Sequence, residues 1–151
     1  SDANEGFGRF SPDGRWVAYV SDEEGRPEIF VREAQPEGAG GGRKAKVSSD
    51  GGWNPLWSSD GRELFYRSLD GSRILSVPVV TAPEVETGRA RVLIDRVALP
   101  APGWISLPVY DIAPDGRFLM RIETGTSDTM QLVVVRDWLS ELTAQLEGGA
   151  R

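Results

Sequence analysis

A six-residue segment that predicts a tight turn occurs three times along this 151-residue chain. It reads FSPDGR at residues 10–15, WSSDGR at residues 57–62 and IAPDGR at residues 112–117. Pro suits the second position of such a turn, Asp suits the third, and Gly adopts the left-handed conformation that follows. Each copy begins with a large apolar residue and is followed by an apolar run. Each therefore predicts a three-residue connection, ending in a bulge, between two antiparallel strands.

The aspartates of these turns, Asp13, Asp60 and Asp115, are separated by 47 and 55 residues. A repeat of about 40–50 residues is typical of β-propellers, in which each blade is a four-stranded antiparallel sheet. We interpret the three carboxylates as turn formers that accept hydrogen bonds from nearby backbone N–H groups. The alternative is that the three acids converge on a metal ion.

The alternation of apolar and polar residues around the turns divides the chain into three units. The first spans about residues 7–48, the second about 53–96 and the third about 109–136, and the first two hold four short strands each. The third unit lacks a fourth strand. In its place Asp137 can cap a short helix over about residues 137–147, whose leucines share one face. The predicted fold is all-β, with three antiparallel propeller blades and a C-terminal helix.

Composition excludes several classes of function. The net charge of −6 and the sequence pI of about 4.7 argue against a surface for nucleic acid or anionic membrane. No run of about 18 apolar residues is present, so no membrane-inserted segment is predicted. The chain has no cysteine and no histidine, so it cannot by itself build a Ser-His-Asp or Cys-His nucleophile or an imidazole-ligated zinc site. We therefore predict no catalytic residue, no cofactor and no metal.

The residues around the second turn carry a resemblance to a known family. Residues 47–61 (VSSDGGWNPLWSSDG) resemble the junction between two blades of TolB-like β-propeller repeats, and residues 110–120 and 132–142 resemble the final blade. Similar blades close the propellers appended to some bacterial serine/threonine kinases. The resemblance implies a propeller over nearly the whole chain and a periplasmic or extracytoplasmic location. The propeller domains of prolyl-oligopeptidase-type enzymes share the same turn and apolar run.

Three blades are fewer than the four to eight that close a propeller, and an open arc leaves apolar sheet faces in contact with water. A homodimer that forms one six-bladed ring about a two-fold axis would cover these faces. The alternative is that the chain is cut from a longer propeller whose other blades lie upstream. Such a piece can also dimerise.

In a propeller, the loops between blades and those between the second and third strands of a blade gather at one end. Loops held on a rigid scaffold carry most binding residues, so this end is the predicted place for a partner. The candidate binding residues share this location and a polar or aromatic side chain: Asp22, Arg26, Asp50, Trp53, Asn54, Asp70, Trp104 and Asp128. The alternative is that the two tryptophans wedge between blades and the acids form a solvated rim.

Two classes of function are open at this stage. The first, which we favour, is a non-catalytic protein-interaction or sensor module whose partner is a protein or peptide. The second is part of an enzyme, such as the gating propeller of a prolyl-oligopeptidase-type hydrolase. The absence of histidine counts against a self-contained peptidase, and no pair of carboxylates has a spacing that suggests glycosidic chemistry.

Overall fold

A computed structural model of the chain describes residues 2–35, 42–96, 102–104, 109–123 and 130–135. Every regular element in these residues is a β-strand, and the strands pair into antiparallel sheets. The predicted all-β class is therefore confirmed for the described part of the chain. The helix predicted over about residues 137–147 lies outside it.

The first sheet is a meander in which each strand pairs with its neighbour in the chain. Its four strands are β1 (Glu5–Phe10), β2 (Trp16–Ser21), β3 (Glu28–Glu33) and β4 (Lys44–Lys46). Strand β2 alternates: Ala18 and Val20 enter an apolar core, and Tyr19 lies on the opposite face of the sheet. The short strand β4 has lysine at both ends, which protects the edge of the sheet from further pairing.

The second sheet follows the same order but has five strands. They are β5 (Gly52–Trp57), β6 (Glu63–Ser68), β7 (Ile74–Val80), β8 (Glu86–Thr87) and β9 (Arg91–Ile94). Strand β8 pairs with the end of β7 at Val79 and Val80, whereas β9 pairs with its beginning at Ile74 and Leu75. Two short strands thus share the place where the sequence predicts one.

The third sheet has three strands within the described residues, in the order of the chain. They are β10 (Tyr110–Ile112), β11 (Phe118–Glu123) and β12 (Met130–Val135). The sequence predicts three strands for this unit, and these are the three that form.

The three repeated turns form at the corresponding hairpin of each sheet. In each turn the glycine N–H donates to the carbonyl three residues earlier at 2.8–3.0 Å, and the glycine has a φ of 70–83°: Gly14, Gly61 and Gly116. Each turn aspartate accepts a hydrogen bond, 3.1–3.2 Å long, from the backbone N–H two residues later. The interpretation of these aspartates as turn formers is confirmed.

A serine hydroxyl makes the first two turns one residue longer than the third. Ser11 Oγ donates to the turn aspartate and accepts from the N–H of Trp16 at 3.0 Å, and the hairpin closes between these two residues. Ser58 makes the same bonds in the second turn. The third turn has Ala113 in this place and closes one residue earlier, with Arg117. The three-residue connection predicted for all three turns is therefore wrong for the first two, because the hydroxyl bridges an extra residue there.

The sheets stack face to face with an apolar core on each side of the second sheet. Strand β6 shows the alternation that produces this arrangement. Leu64 and Tyr66 enter the core shared with the first sheet, and Phe65 enters the core shared with the third. In the second core the rings of Phe65 and Phe118 meet edge to face, with centroids 5.3 Å apart.

Strands β1 and β5 each contain an irregularity at the same place in the repeat. Phe7 and Asn54 have φ of 57° and 54°, and the pairing register of each strand shifts beside them. A side chain of the next sheet donates to each of these strands: Trp57 Nε1 to the carbonyl of Arg9 at 3.2 Å, and the Tyr110 hydroxyl to the carbonyl of Asn54 at 2.5 Å. The repeat therefore extends from the turns into the first strands.

We expect Ser11→Ala to lower the free energy of unfolding by about 2 kcal/mol, because the buried N–H of Trp16 would lose its partner. Urea unfolding followed by tryptophan fluorescence measures this change. Ser49→Ala is the matched control, since the exposed Ser49 hydroxyl makes one bond, 3.3 Å long, to its neighbour. The control should change stability by less than about 0.5 kcal/mol. Equal unfolding free energies for the two variants would contradict the bridging role of Ser11.

Candidate functional site

Three of the predicted loops meet at one end of the stack. The Gly52 N–H donates to the carbonyl of Pro27 at 3.0 Å, and Arg26 Nη2 donates to the carbonyl of Ser49 at 2.5 Å. At Gly51 the φ is 80°, and a Cβ would lie 2.9 Å from the Pro27 carbonyl and 3.0 Å from a leucine of the third loop. The loops after β2, β4 and β6 therefore pack together, and glycine is required where they cross.

The carboxylate of Glu28 organises this end, and its side chain is 1% exposed. Oε2 accepts from the Ser48 hydroxyl and from the N–H of Gly51 at 2.9 Å. Oε1 pairs with Arg26 Nε at 2.7 Å and with Lys46 Nζ at 3.1 Å. Burial acts to raise the pKa of Glu28, but these hydrogen bonds outweigh it and the pKa lies below its ordinary value. Glu28 is thus an ionised group that links the segment between β4 and β5 to strand β3.

Of the other predicted acids, Asp22 makes contacts that hold the fold. Asp22 accepts from both the backbone N–H and the side-chain amide of Asn4, at 2.8 and 2.7 Å, and so fixes the start of the described chain. Asp50 is exposed beside Ser49 at the place where the loops cross. Asp128 lies outside the described residues.

The predicted residue Asp70 belongs to a third serine turn, in the loop after strand β6. Ser68 Oγ donates to Asp70 at 2.5 Å and accepts from the N–H of Arg73 at 3.0 Å. The hydrogen bonds from Ser68 and Ser72 lower the pKa of Asp70 to about 2. The signal for this turn was present in the sequence, because residues 68–71 read Ser-Leu-Asp-Gly and match the serine, aspartate and glycine of the first two turns.

Trp53 and Trp104, both candidate binding residues, pack against each other. Trp53 is 6% exposed, and its ring lies edge to face with those of Trp104 and Phe7, at 5.2 and 6.0 Å. Trp104 also covers Gly6, where a Cβ would lie 3.7 Å from the indole. These contacts support the interpretation of both tryptophans as packing residues.

Acidic residues do not gather into a metal-binding cluster within the part of the chain that the structure describes. The same residues contain no helix long and apolar enough to cross a bilayer.

A groove that was not predicted from the sequence lies between the first strands of the three sheets. This first-strand groove has a volume of about 540 Å³ and is lined by Arg9, Leu56, Tyr110 and Arg121, among others. Asn54 lies in a narrow recess beside it, together with Arg9 and Tyr110. Asn54 is therefore the candidate binding residue that the structure brings to this groove. No local sequence pattern identifies the other lining residues, because they come from four separate strands.

No protein-family model matches this sequence, and no curated protein matches it. The resemblance to TolB-like repeats and the extracytoplasmic location that it implies stay predictions.

We expect Glu28→Gln to lower the free energy of unfolding by about 2 kcal/mol at neutral pH, because an amide cannot accept the same charge-assisted bonds from Arg26 and Lys46. The pKa of folded Glu28 lies below its ordinary value of 4.5. Its contribution to stability is therefore fully present above that pH and is lost as the pH falls through the folded pKa. The difference between variant and wild type should shrink in that acidic range when urea unfolding is measured at a series of pH values.

Glu86→Gln is the control for this series, because Glu86 is exposed and makes no ion pair with any described residue. It should leave the stability and its pH dependence unchanged. A Glu28→Gln difference that stays constant down to the acid transition would show that the carboxylate charge is not what stabilises the loop crossing.

Proposed function

We propose that the chain is a non-catalytic protein-interaction module, that its three sheets are consecutive blades of a β-propeller, and that two copies pair to close a ring. The meander order of the first sheet, the same turn in the same hairpin of every sheet, and the face-to-face stacking support the blade assignment. In this arrangement β1, β5 and β10 are the innermost strands, and the first-strand groove is part of the wall of the central channel.

The state of the carboxylates supports a non-catalytic role. General acid–base catalysis uses a group that reaches the substrate and has a pKa near the working pH. Hydrogen bonds hold the pKa values of four turn aspartates below their ordinary range: Asp13, Asp60, Asp70 and Asp115. The pKa of Glu28 is lowered by hydrogen bonds in the same way. These groups are ionised acceptors at neutral pH, and their bonds maintain turns and loop crossings.

The pairing of two copies rests on the burial of the residue before each turn. Trp57 in the second sheet enters the core shared with the first sheet, and Ile112 in the third sheet packs against the core shared with the second. Each therefore contacts the preceding sheet. Phe10 holds the same position in the first sheet, and it is 69% exposed. A preceding sheet would cover it.

The occupant that we propose for this position is the third sheet of a second copy. Leu119 is 37% exposed, and its neighbours Phe118 and Met120 enter the second core, so Leu119 lies on the opposite face of the third sheet, where it also borders the first-strand groove. Two contacts between a Phe10 face and a Leu119 face, related by a two-fold axis, would close six blades. Exposed aromatic surface of this kind is typical of protein interfaces.

Elsewhere the outer face of the first sheet is already covered. Lys44 Nζ lies 4.3 Å from the centroid of Phe30, and the guanidinium of Arg32 lies 5.5 Å from that of Tyr19. The open apolar surface on this face of the first sheet is therefore concentrated at Phe10. The gating role beside a hydrolase stays a prediction, since no contact among the described residues favours it.

Light scattering on the purified chain tests the pairing. We expect a mass of twice the 16.5 kDa of one chain at micromolar concentration. Phe10→Glu should weaken the association at least about a hundredfold, because a closed ring buries Phe10 twice and each burial contributes about 2 kcal/mol.

Val92→Glu is the matched control, since Val92 is 44% exposed on β9, away from the Phe10 position. This variant should keep the wild-type mass. A folded wild-type chain with the mass of a single copy would overturn the pairing, and so would an unchanged mass for Phe10→Glu.

A further inference from the structure

We propose that the first-strand groove binds a carboxylate group of a peptide partner, between Arg9 and Arg121 and beside Asn54. The inference rests on the proposed interaction role and deepens it, because it names the chemistry of the ligand and the residues that bind it.

The first observation is a pair of buried polar atoms without partners. Asn54 is 6% exposed, and its Oδ1 has no hydrogen-bond partner among the described residues. Arg121 Nε is likewise buried without a partner there. Buried polar groups in folded proteins are nearly always paired, and each exception calls for an explanation such as a ligand or an ordered water. Both atoms belong to residues that line the groove or its recess. Arg121 Nε is a donor, which a carboxylate oxygen accepts from, whereas Asn54 Oδ1 is an acceptor, which an N–H of the peptide would donate to.

The backbone at Asn54 adds to this observation. Its φ of 54° is uncommon for a residue other than glycine, and the Tyr110 hydroxyl holds its carbonyl at 2.5 Å. Bulges with such residues are frequent beside binding sites, where they redirect a side chain. The backbone of Asn54 is therefore held in place, and Asn54 lies in the same recess as Arg9.

The second observation is the charge of the groove. Arg9 and Arg121 make no ion pair with any described residue, although the whole chain has a net charge of −6. Burial raises the pKa of Tyr110, while Arg67 and Arg9 lie close enough to act against that rise. Asp111 is the carboxylate of the lining, and its Oδ1 accepts from the N–H of Ile112 at 2.9 Å. Positive charge therefore exceeds negative charge in the groove, so an anionic ligand complements it.

The walls of the groove favour a carboxylate on a peptide. Leu56, Val109 and Leu119 line it beside the arginines. A guanidinium binds the two oxygens of a carboxylate through parallel N–H donors, and an apolar wall accepts the side chain next to it. The volume of about 540 Å³ suits one or two residues. Two sources have this chemistry: the free carboxyl terminus of a peptide and an internal acidic side chain.

Fluorescence anisotropy with three labelled hexapeptides tests the proposal on the full chain. The first ends in Val-Leu with a free carboxylate, the second is its C-terminal amide, and the third is the amide with one internal glutamate. We expect at least one carboxylate-bearing peptide to bind about tenfold or more tightly than the uncharged amide, with an affinity that falls as salt is added. Which of the two binds identifies the source of the carboxylate.

Arg9→Gln and Arg121→Gln shorten the side chain, keep it polar and remove its charge, and each should weaken binding about tenfold or more. Asn54→Gly keeps the left-handed backbone and removes the amide, so it should also weaken binding. The control is Arg15→Gln, an exposed arginine of the first turn that does not line the groove. It should change the affinity less than about twofold.

Arg9 is exposed, so Arg9→Gln should fold as the wild type does, which circular dichroism checks. Equal affinity for the charged and uncharged peptides would overturn the proposal, as would wild-type affinity in Arg9→Gln. Absence of binding for all three peptides at millimolar concentration would overturn it as well. These outcomes are read from anisotropy, whereas failure of the two-copy ring is read from the mass, so the two proposals fail separately.

Discussion

The hydrogen bond from a backbone N–H to the turn aspartate two residues earlier is the local constraint on which the stack depends. Together with the left-handed glycine it forms the turn of the hairpin in all three sheets, and in the first two turns the serine hydroxyl completes the register. A slip of one residue would move every side chain of a strand to the opposite face. In β6 it would take Leu64 and Tyr66 out of one core and Phe65 out of the other. Correct packing of the sheets therefore begins in a few exposed turn residues.

The strands and the repeated turns were predictable from the sequence, because their causes lie within a few residues. Glu28 was not. In the sequence it is the polar residue at the start of an alternating strand, whereas its partners Ser48 and Gly51 lie 20 and 23 residues later. The length of the first two turns was also missed, since it depends on a hydroxyl bridge rather than on the Asp-Gly pair.

The contact between the predicted loops followed from the sequence, whereas the contacts of their side chains did not. The loops around Arg26 and Asp50 do meet, as the order of strands predicts. Trp53 and Trp104, for which the sequence left partner binding and packing both open, pack against each other, because Trp53 belongs to a core between two sheets. The first-strand groove combines residues of four strands, and no local pattern indicates that Arg9 and Arg121 lie in one cavity. Asn54 was selected from its loop position, but its conformation follows from a bulge in β5.

Cross-sheet bonds to the backbone carbonyls of the first strands have a mechanical consequence. Trp57 donates to the carbonyl of Arg9 in the first sheet, and Tyr110 donates to the carbonyl of Asn54 in the second. Adjacent sheets are therefore joined by hydrogen bonds near their first strands. Sliding of one sheet along the next would break such a bond and leave a polar group unsatisfied, at a cost of about 1–3 kcal/mol each. These bonds therefore resist shear between adjacent sheets at their first strands. The fourth strand of the first sheet is joined to the second sheet in the same way, because the Thr87 hydroxyl of β8 donates to the carbonyl of Lys46 in β4 at 3.2 Å.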